Sequence, residues 1–366
     1  MTRHLFFLFL LAFGLSCKKN DDPITVEPVP PFTPPIIVED CQDADGFPEI
    51  PGWKHREIAI SNGPNFDGRI YFINQTVGFL YGTDGNLLRT TNSGENWENV
   101  LIQSQQYNQH LFFLNGQQGF LSVRDSPASN SFTGALLKTI DGGVTWNRYS
   151  YQPAGRLQSI FFVDELHGFA HVIRSSPTSF STSSFARTDD GGATWQDIAG
   201  VIPAFNYYQS FRIFPDGFGY IAGTSGRVFI TVDNGEDWEV IHTGLSSVEQ
   251  VQFLDKMNGY ASSFEGFYKT MDGGKTWTQI SQNYAPYFHF FSPQSGFTLQ
   301  SNGNLITNDV VSECFNFALT EDGGETWIES KPVSYQYNTP FFFPNDQIGF
   351  LFSGYNANKL LILEKE

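Results

Sequence analysis

Hydrophobic positions in this chain recur on a fixed grid. Seven glycines, each followed by Phe or Tyr, punctuate it: Gly78, Gly119, Gly168, Gly219, Gly259, Gly296 and Gly349. Six residues before them stand Phe72, Phe113, Phe162, Ile213, Phe253, Phe290 and Phe343. Eight residues before stand Ile70, Leu111, Ile160, Phe211, Val251, Phe288 and Phe341. Two apolar columns spaced by two follow the strand period, so every copy predicts the buried face of a β-strand. The glycine–aromatic pair then opens a second strand after a turn. Each unit is expected to hold four strands, a to d.

A second repeat is interleaved with the first. TTNSGENW, TIDGGVTW, TDDGGATW, TVDNGEDW, TMDGGKTW and TEDGGETW share the pattern Thr-x-Asp-x-Gly-x-Thr-Trp. Its acidic position holds Asn92, Asp141, Asp190, Asp233, Asp272 and Asp322, and its last position Trp97, Trp146, Trp195, Trp238, Trp277 and Trp327. These six turns, 39 to 50 residues apart, are expected between strands c and d. A carboxylate there accepts backbone N–H groups, glycine permits positive φ, and Trp packs beneath the hairpin. Asn92 keeps the acceptor without the charge. Repetition in nearly every unit marks these acids as structural rather than catalytic. The seventh unit lacks a turn motif and a Trp. Trp53, the seventh Trp, begins WKHREIAIS, which reads as a d strand. The N-terminal strand is therefore expected to complete the last unit and close a ring, which removes open sheet edges.

The turn motifs resemble the Asp-box, or BNR, repeats of sialidase-like β-propellers. Residues 53–366 also resemble the photosystem II assembly factor family and its bacterial relatives. The resemblance implies an all-β, seven-bladed β-propeller of four-stranded antiparallel blades, with the N-terminal strand closing the last blade. It implies a non-catalytic binding or assembly module with a protein partner. Fold alone does not select a function. The alternative is a carbohydrate-active protein, either a glycoside hydrolase or a glycan-binding propeller.

Composition narrows the partners. The 366 residues include 35 Gly and 37 Phe but only 16% charged residues, a balance suited to short strands and tight turns. The net charge of −17 repels nucleic-acid phosphates. Three cysteines are too few for a disulfide scaffold or a cysteine-rich metal site.

The N-terminus gives an address. Arg3 and His4 precede an apolar run from Leu5 to Phe13, far shorter than a spanning helix. Small residues then lead to Cys17, so residues 1–16 read as an export signal. The cysteine resembles a bacterial lipoprotein processing site, which implies lipidation at Cys17 and an outer membrane lipoprotein facing the periplasm or the cell surface. Ordinary signal-peptidase cleavage is the alternative. The membrane would be touched through the lipid anchor only. Residues 17–52 read as a Pro-rich tether. Cys41 and Cys314 are left for a disulfide in an exported chain, though two cysteines alone do not establish one. DADGFPE (Asp43–Glu49) lacks the full ligand spacing of a calcium loop and reads as a linker turn.

Candidate chemistry is sought on the face that carries the d–a and b–c loops, opposite the turn motifs. Units two, three and six carry b–c insertions: DSPASNSFTG, SSPTSFSTSS and SNGNLITNDVVSEC. Twelve residues before the glycines lie Phe66, Tyr107, Arg156, Tyr207, Ser247, Tyr284 and Tyr337. With Tyr151, Tyr208, Tyr287 and Tyr335 they place aromatics near the mouth of the inner strands, where Tyr offers stacking area and a hydroxyl. Sealing the seams between blades is the competing role. Arg69, Arg124, Arg156, Arg174 and Arg212 form a possible anion or carboxylate set. Binding is therefore assigned to Tyr107, Tyr207, Tyr284, Tyr337, Arg156 and Arg212, from a protein partner in the cell envelope or a glycan. SFRIFP (Ser210–Pro215) partly matches the FRIP motif of sialidases but lies in the middle of the chain, so no catalytic role is carried over. The carboxylates on this face are Asp84, Asp125, Glu249, Glu265, Asp309 and Glu313, and hydrolysis would need two of them about 5–10 Å apart. His167 and His171, four strand steps and about 13 Å apart, cannot share a metal. No catalytic residue, metal site or cofactor is assigned.

Overall fold

In the computed structural model, strand follows strand and the described residues contain no helix. It describes residues 49–366 except 61–68, 83–84, 101–106, 125–133, 150–154, 175–181, 201–210, 224–225, 247, 284, 286, 308–309, 331–332, 336–340 and 354–358. Side chains at 107, 109, 301–315, 333–335 and 352–353 are also undescribed. The strands form seven antiparallel sheets, each ordered a-b-c-d outward from an inner strand. The inner strands are Arg69–Phe72, Tyr107–Phe113, Arg156–Phe162, Phe211–Ile213, Val248–Phe253, Tyr287–Phe290 and Phe341–Asn345. The fold is the expected seven-bladed β-propeller.

Closure is also as expected. Trp53–Ala59 pairs antiparallel with Lys359–Lys365, with Trp53 opposite Lys365 and Ala59 opposite Lys359. The last blade thus takes three strands from the C-terminus and one from the N-terminus. Ion pairs line this junction: Lys359 Nζ to Glu57 at 2.9 Å, Lys54 to Glu366 at 3.6 Å and Arg56 to Glu364 at 3.8 Å. The packed part begins slightly earlier than residue 53, because Ile50 is buried between blades six and seven.

Hydrophobic burial is divided among seven clusters, one for each seam between neighbouring blades. This follows from the grid. A flat sheet buried on both faces needs apolar residues on both, and the neighbouring blades supply the cover. The two apolar columns lie buried in these seams, with Phe211 only partly covered.

The repeated turns pin each blade's rim. In the second turn, Thr139 Oγ1 accepts from Gly143 N at 2.9 Å and donates to Asp141 Oδ1 at 2.8 Å. Asp141 accepts from Thr145 N at 2.9 Å and Thr145 Oγ1 at 2.6 Å. The Thr–Gly and Thr–Asp bonds recur in turns three to six. Asn92 holds the same place in turn one, accepting from Asn96 N at 3.0 Å. Each motif also docks on the a–b turn of its own blade, as when Gly142 N donates to Gln117 O at 2.9 Å. The indoles stand edge-on to phenyl rings: Trp97 to Phe72 at 6.3 Å and Trp146 to Phe113 at 6.0 Å, for example. Trp53 stands against Phe343 in the same way at 6.1 Å.

The residue just before the motif Thr supplies an unforeseen link between blades. Arg89 Nε donates to Gly142 O at 3.0 Å, and Lys269 Nζ donates to Gly323 O at 3.3 Å. Arg187 Nη1 meets Glu236 Oε2 at 2.6 Å. In each case a cation on strand c reaches the turn motif of the next blade.

Blade six departs from expectation. Its b–c insertion is not a loop: strands Gly296–Thr307 and Val310–Thr320 pair along their length, and Val333–Tyr335 adds to the second. Residues read as loop decoration extend the sheet because their pairing register continues without a break in strand direction beyond one shift between Ser301 and Gly303. Cys314 lies opposite Gly303 and Ser334. Cys17, Cys41 and the DADGFP stretch lie outside the described residues, as do residues 125–133 and 175–181 of the insertions in blades two and three, whereas Thr182–Ser184 pair into a strand.

Candidate functional site at the mouth of the inner strands

Strand period two places a further column between the two buried ones. Seven residues before each glycine stand Tyr71, Phe112, Phe161, Arg212, Gln252, His289 and Phe342. These side chains join neighbouring inner strands. The rings of Tyr71 and Phe342 are 4.9 Å apart, as are those of Phe112 and Phe161.

An inner strand has one ladder edge without a strand partner. Here the preceding blade's side chains serve that edge. Tyr71 Oη accepts from Phe113 N at 3.1 Å, and Tyr81 Oη accepts from Leu111 N at 3.4 Å. Gln252 does both jobs at once: its Nε2 donates to Phe290 O at 2.9 Å and its Oε1 accepts from Phe290 N at 2.9 Å. Gln250 repeats this on Phe288 at 3.0 and 3.3 Å. These amides take the place of a missing strand and meet the demand that buried backbone groups be paired.

Electrostatics distinguish this region from the rest of an acidic protein. Burial, and then the charge of Arg69, push His110 down to about 3. Burial, and then Arg212, push His289 down to about 4. Both imidazoles are neutral at neutral pH. Burial raises Tyr71 to about 12 against a lowering contribution from Arg212. Arg212 belongs to blade four, Tyr71 to blade one and His289 to blade six, so this guanidinium exerts its field across the ring. Its carbon lies 4.7 Å from the centre of the Phe214 ring. No described carboxylate lies within ion-pair distance of Arg212.

Not all of the sequence-assigned residues meet here. Arg156 and Tyr107 head equivalent inner strands, and Tyr107 faces Arg124 in register. The Tyr107 side chain is undescribed, and Tyr207, Tyr284 and Tyr337 lie outside the described residues. Arg174 is engaged elsewhere: its Nη2 is 2.9 Å from Asp197 Oδ1 and its Nη1 donates to Ser184 Oγ at 2.5 Å. Glu249 is buried, and Glu265 accepts from Ser246 Oγ at 2.5 Å. Asp84, Asp125 and Asp309 lie outside the described residues. His167 binds Asp164 at 2.8 Å while His171 binds Ser183 at 2.5 Å, so the two imidazoles have separate partners. Among the described residues no group of acids, histidines and cysteines is arranged to hold a metal.

Sequence reasoning passed over Tyr71, His110, Gln250, Gln252 and His289. The signal was present: they occupy the columns seven and nine residues before the same glycines. Those columns mix Phe and Ser with Tyr, Arg, His and Gln from blade to blade, so no repeat drew attention to them.

No protein-family model matches the chain, and no curated protein sequence matches it. Solved structures do. A structure of YCF48 bound to D1 peptide matches with 18% identity and a TM-score of 0.59, over 87% of this chain and 100% of that one. YCF48 from Cyanidioschyzon merolae matches with 17% identity and a TM-score of 0.60, over 86% and 99%. A WD40 β-propeller domain of Doa1 matches with 10% identity and a TM-score of 0.52, over 84% and 95%. At these identities the likeness is one of fold alone, that of a β-propeller.

Proposed function

We propose that this chain is a non-catalytic binding or assembly module that takes a protein partner at the d–a and b–c loop face. The observation that carries the reading is Arg212. It is a cation on an inner strand of a protein of net charge −17, with no described carboxylate in reach, and its field extends to blades one and six. A site built this way favours an extended segment bearing carboxylates. Tyr107, Tyr207, Tyr284 and Tyr337 supply stacking area at the rim, and Arg156 a second cation. A propeller of the same fold has been solved with a peptide bound, which supports a peptide-binding role for the scaffold. Export and lipidation at Cys17 place the module at the cell envelope.

The test is co-purification from detergent-solubilised envelope. The native chain is compared with Arg212→Gln and with a variant in which Tyr107, Tyr207, Tyr284 and Tyr337 become Ala, each checked for folding by circular dichroism. A near-stoichiometric protein captured by the native chain and reduced at least about tenfold by Arg212→Gln, the scale of one lost charge-assisted contact, supports the reading. Equal capture by all three baits, or capture of nothing, overturns it.

A further inference from the structure

The two faces of the ring differ in more than loop length. Ten large apolar side chains are exposed among the described residues. Six of them stand on the face of the turn motifs: Ile140, Val144, Leu166, Val232, Met257 and Met271, exposed by 46 to 74%. They occupy the tips of a–b and c–d turns in four consecutive blades, two to five. The turns are rigid, since each motif is hydrogen-bonded internally and to the a–b turn of its own blade, as Gly191 N to Leu166 O at 2.7 Å and Gly273 N to Met257 O at 3.0 Å. Such turns hold these apolar side chains in water, one or two to a blade.

Chain entry falls on the same face. Trp53 takes the place of a motif Trp at the start of a d strand, and Gly52 O accepts from Glu366 N at 3.0 Å. The described chain therefore begins at the motif face. We propose that this face, through the turn tips of blades two to five, seats on an uncharged phospholipid surface, with the loop face turned away from it. The proposal rests on the reading of Cys17 as lipidated. A Pro-rich tether of 17–48 would span on the order of 100 Å if extended, so the anchor alone leaves both faces free to turn towards the bilayer. The apolar tips break that tie. Interfacial contact is favoured by apolar area and modulated by charge. On the turns of blades two to five Asp189 and Glu236 pair with Arg187, but Asp164, Glu165, Asp216, Asp237 and Asp255 still outnumber Lys256 and Lys275, which directs the face to zwitterionic rather than anionic headgroups.

The experiment uses the full lipidated chain on phosphatidylcholine vesicles. A polarity-sensitive dye is placed by Ile140→Cys, Val232→Cys, Met271→Cys or Phe264→Cys, each in a Cys41→Ser, Cys314→Ser background. Phe264 is an exposed reporter on the opposite face. The expected result is a blue shift at 140, 232 and 271 upon vesicle binding and none at 264, with a smaller shift when anionic phosphatidylglycerol is mixed in. A shift at 264 alone, or none at any position while the chain floats with vesicles, overturns the proposal. A concentration-dependent shift without vesicles also overturns it, by showing a second copy as the occupant. Intact mass separates the two readings: a chain without lipid on Cys17 loses the anchor and this proposal together, whereas a lipidated chain without the shifts loses only the seating.

Discussion

The ring of Phe72 lies across Gly78 so closely that a Cβ at that glycine would fall 2.5 Å from the ring edge. The two residues face each other in the a–b ladder. The relationship recurs at Phe113 over Gly119, Phe162 over Gly168 and Phe290 over Gly296, with would-be contacts of 2.6 Å. Glycine is required there for space and not for backbone conformation. Gly78→Ala should therefore destabilise by about 1–3 kcal/mol, the range for overpacking. Gly116→Ala, where an added Cβ would meet nothing within 4 Å, should fall within about 0.5 kcal/mol of the native chain. Urea unfolding of both variants checks the pair.

Two turn motifs carry a non-glycine residue at positive φ: Ser93 at 59° and Asn234 at 60°. Their counterparts Gly142, Gly191, Gly273 and Gly323 have φ of 70 to 79°. Ser93→Gly should stabilise by about 0.5–1 kcal/mol, since a left-handed conformation costs an ordinary residue about that much or more. Asn234→Gly should gain less, because Asn tolerates this region better. Thermal melting of the two single variants gives the order.

Acid should weaken the turn motifs in a defined window. The Thr194 hydroxyl, then its backbone N–H, hold Asp190 down to about 2, and Thr326 does the same for Asp322. At Asp272 the backbone N–H of Thr276 leads, again to about 2. An unfolded aspartate titrates near 3.9. The folded state therefore binds its proton later, and the stabilisation is complete above about pH 4 and lost as pH falls towards about 2. Asp190→Asn should cost stability at pH 7 and progressively less as pH drops through that window. Asn92 is the natural control: Asn92→Asp should add a pH dependence at a position that carries no charge in the native chain. Denaturant titrations at a series of pH values measure both.

The interblade cation at Arg187 is partly exposed, so Arg187→Met should cost no more than about 1 kcal/mol despite its 2.6 Å contact with Glu236. Raised salt should shrink that difference. Gln252→Ala should cost more than an exposed substitution, about 1–3 kcal/mol, because it strands both the N–H and the C=O of Phe290 in a buried strand.

Much of the fold was legible because it was written seven times. Phe72, Gly78 and Trp97 have counterparts at fixed spacing, and solvent exclusion demands the same residue types in every copy. Trp53 was legible through its absence from blade seven's own run. The column between the two buried ones was not, for the opposite reason. Tyr71, Gln252 and His289 stand in one column yet share no chemistry, since each answers to a different neighbour across a seam. Arg89, Lys138, Arg187 and Lys269 did repeat before the motif Thr, but their purpose appears only when the next blade is in place. The long hairpin of blade six was hidden in a polar stretch, SNGNLITNDVVSEC, whose composition suits a loop as well as an edge-extending strand.

The shared last blade has a temporal meaning. Lys359 and Glu57 meet although they lie 302 residues apart, so Trp53–Ala59 waits for a strand made some 302 residues later. Until then the outer edge of Ile348–Ser353 and both edges of Trp53–Ala59 have no partner, and the seam between blades one and seven lacks Leu360 and Ile362. A chain cut short by even its final ten residues would keep six blades' worth of sequence but expose two sticky margins. Synthesis of Lys359–Lys365 thus acts as a completion check, and chains without it are the ones most exposed to proteases and to one another.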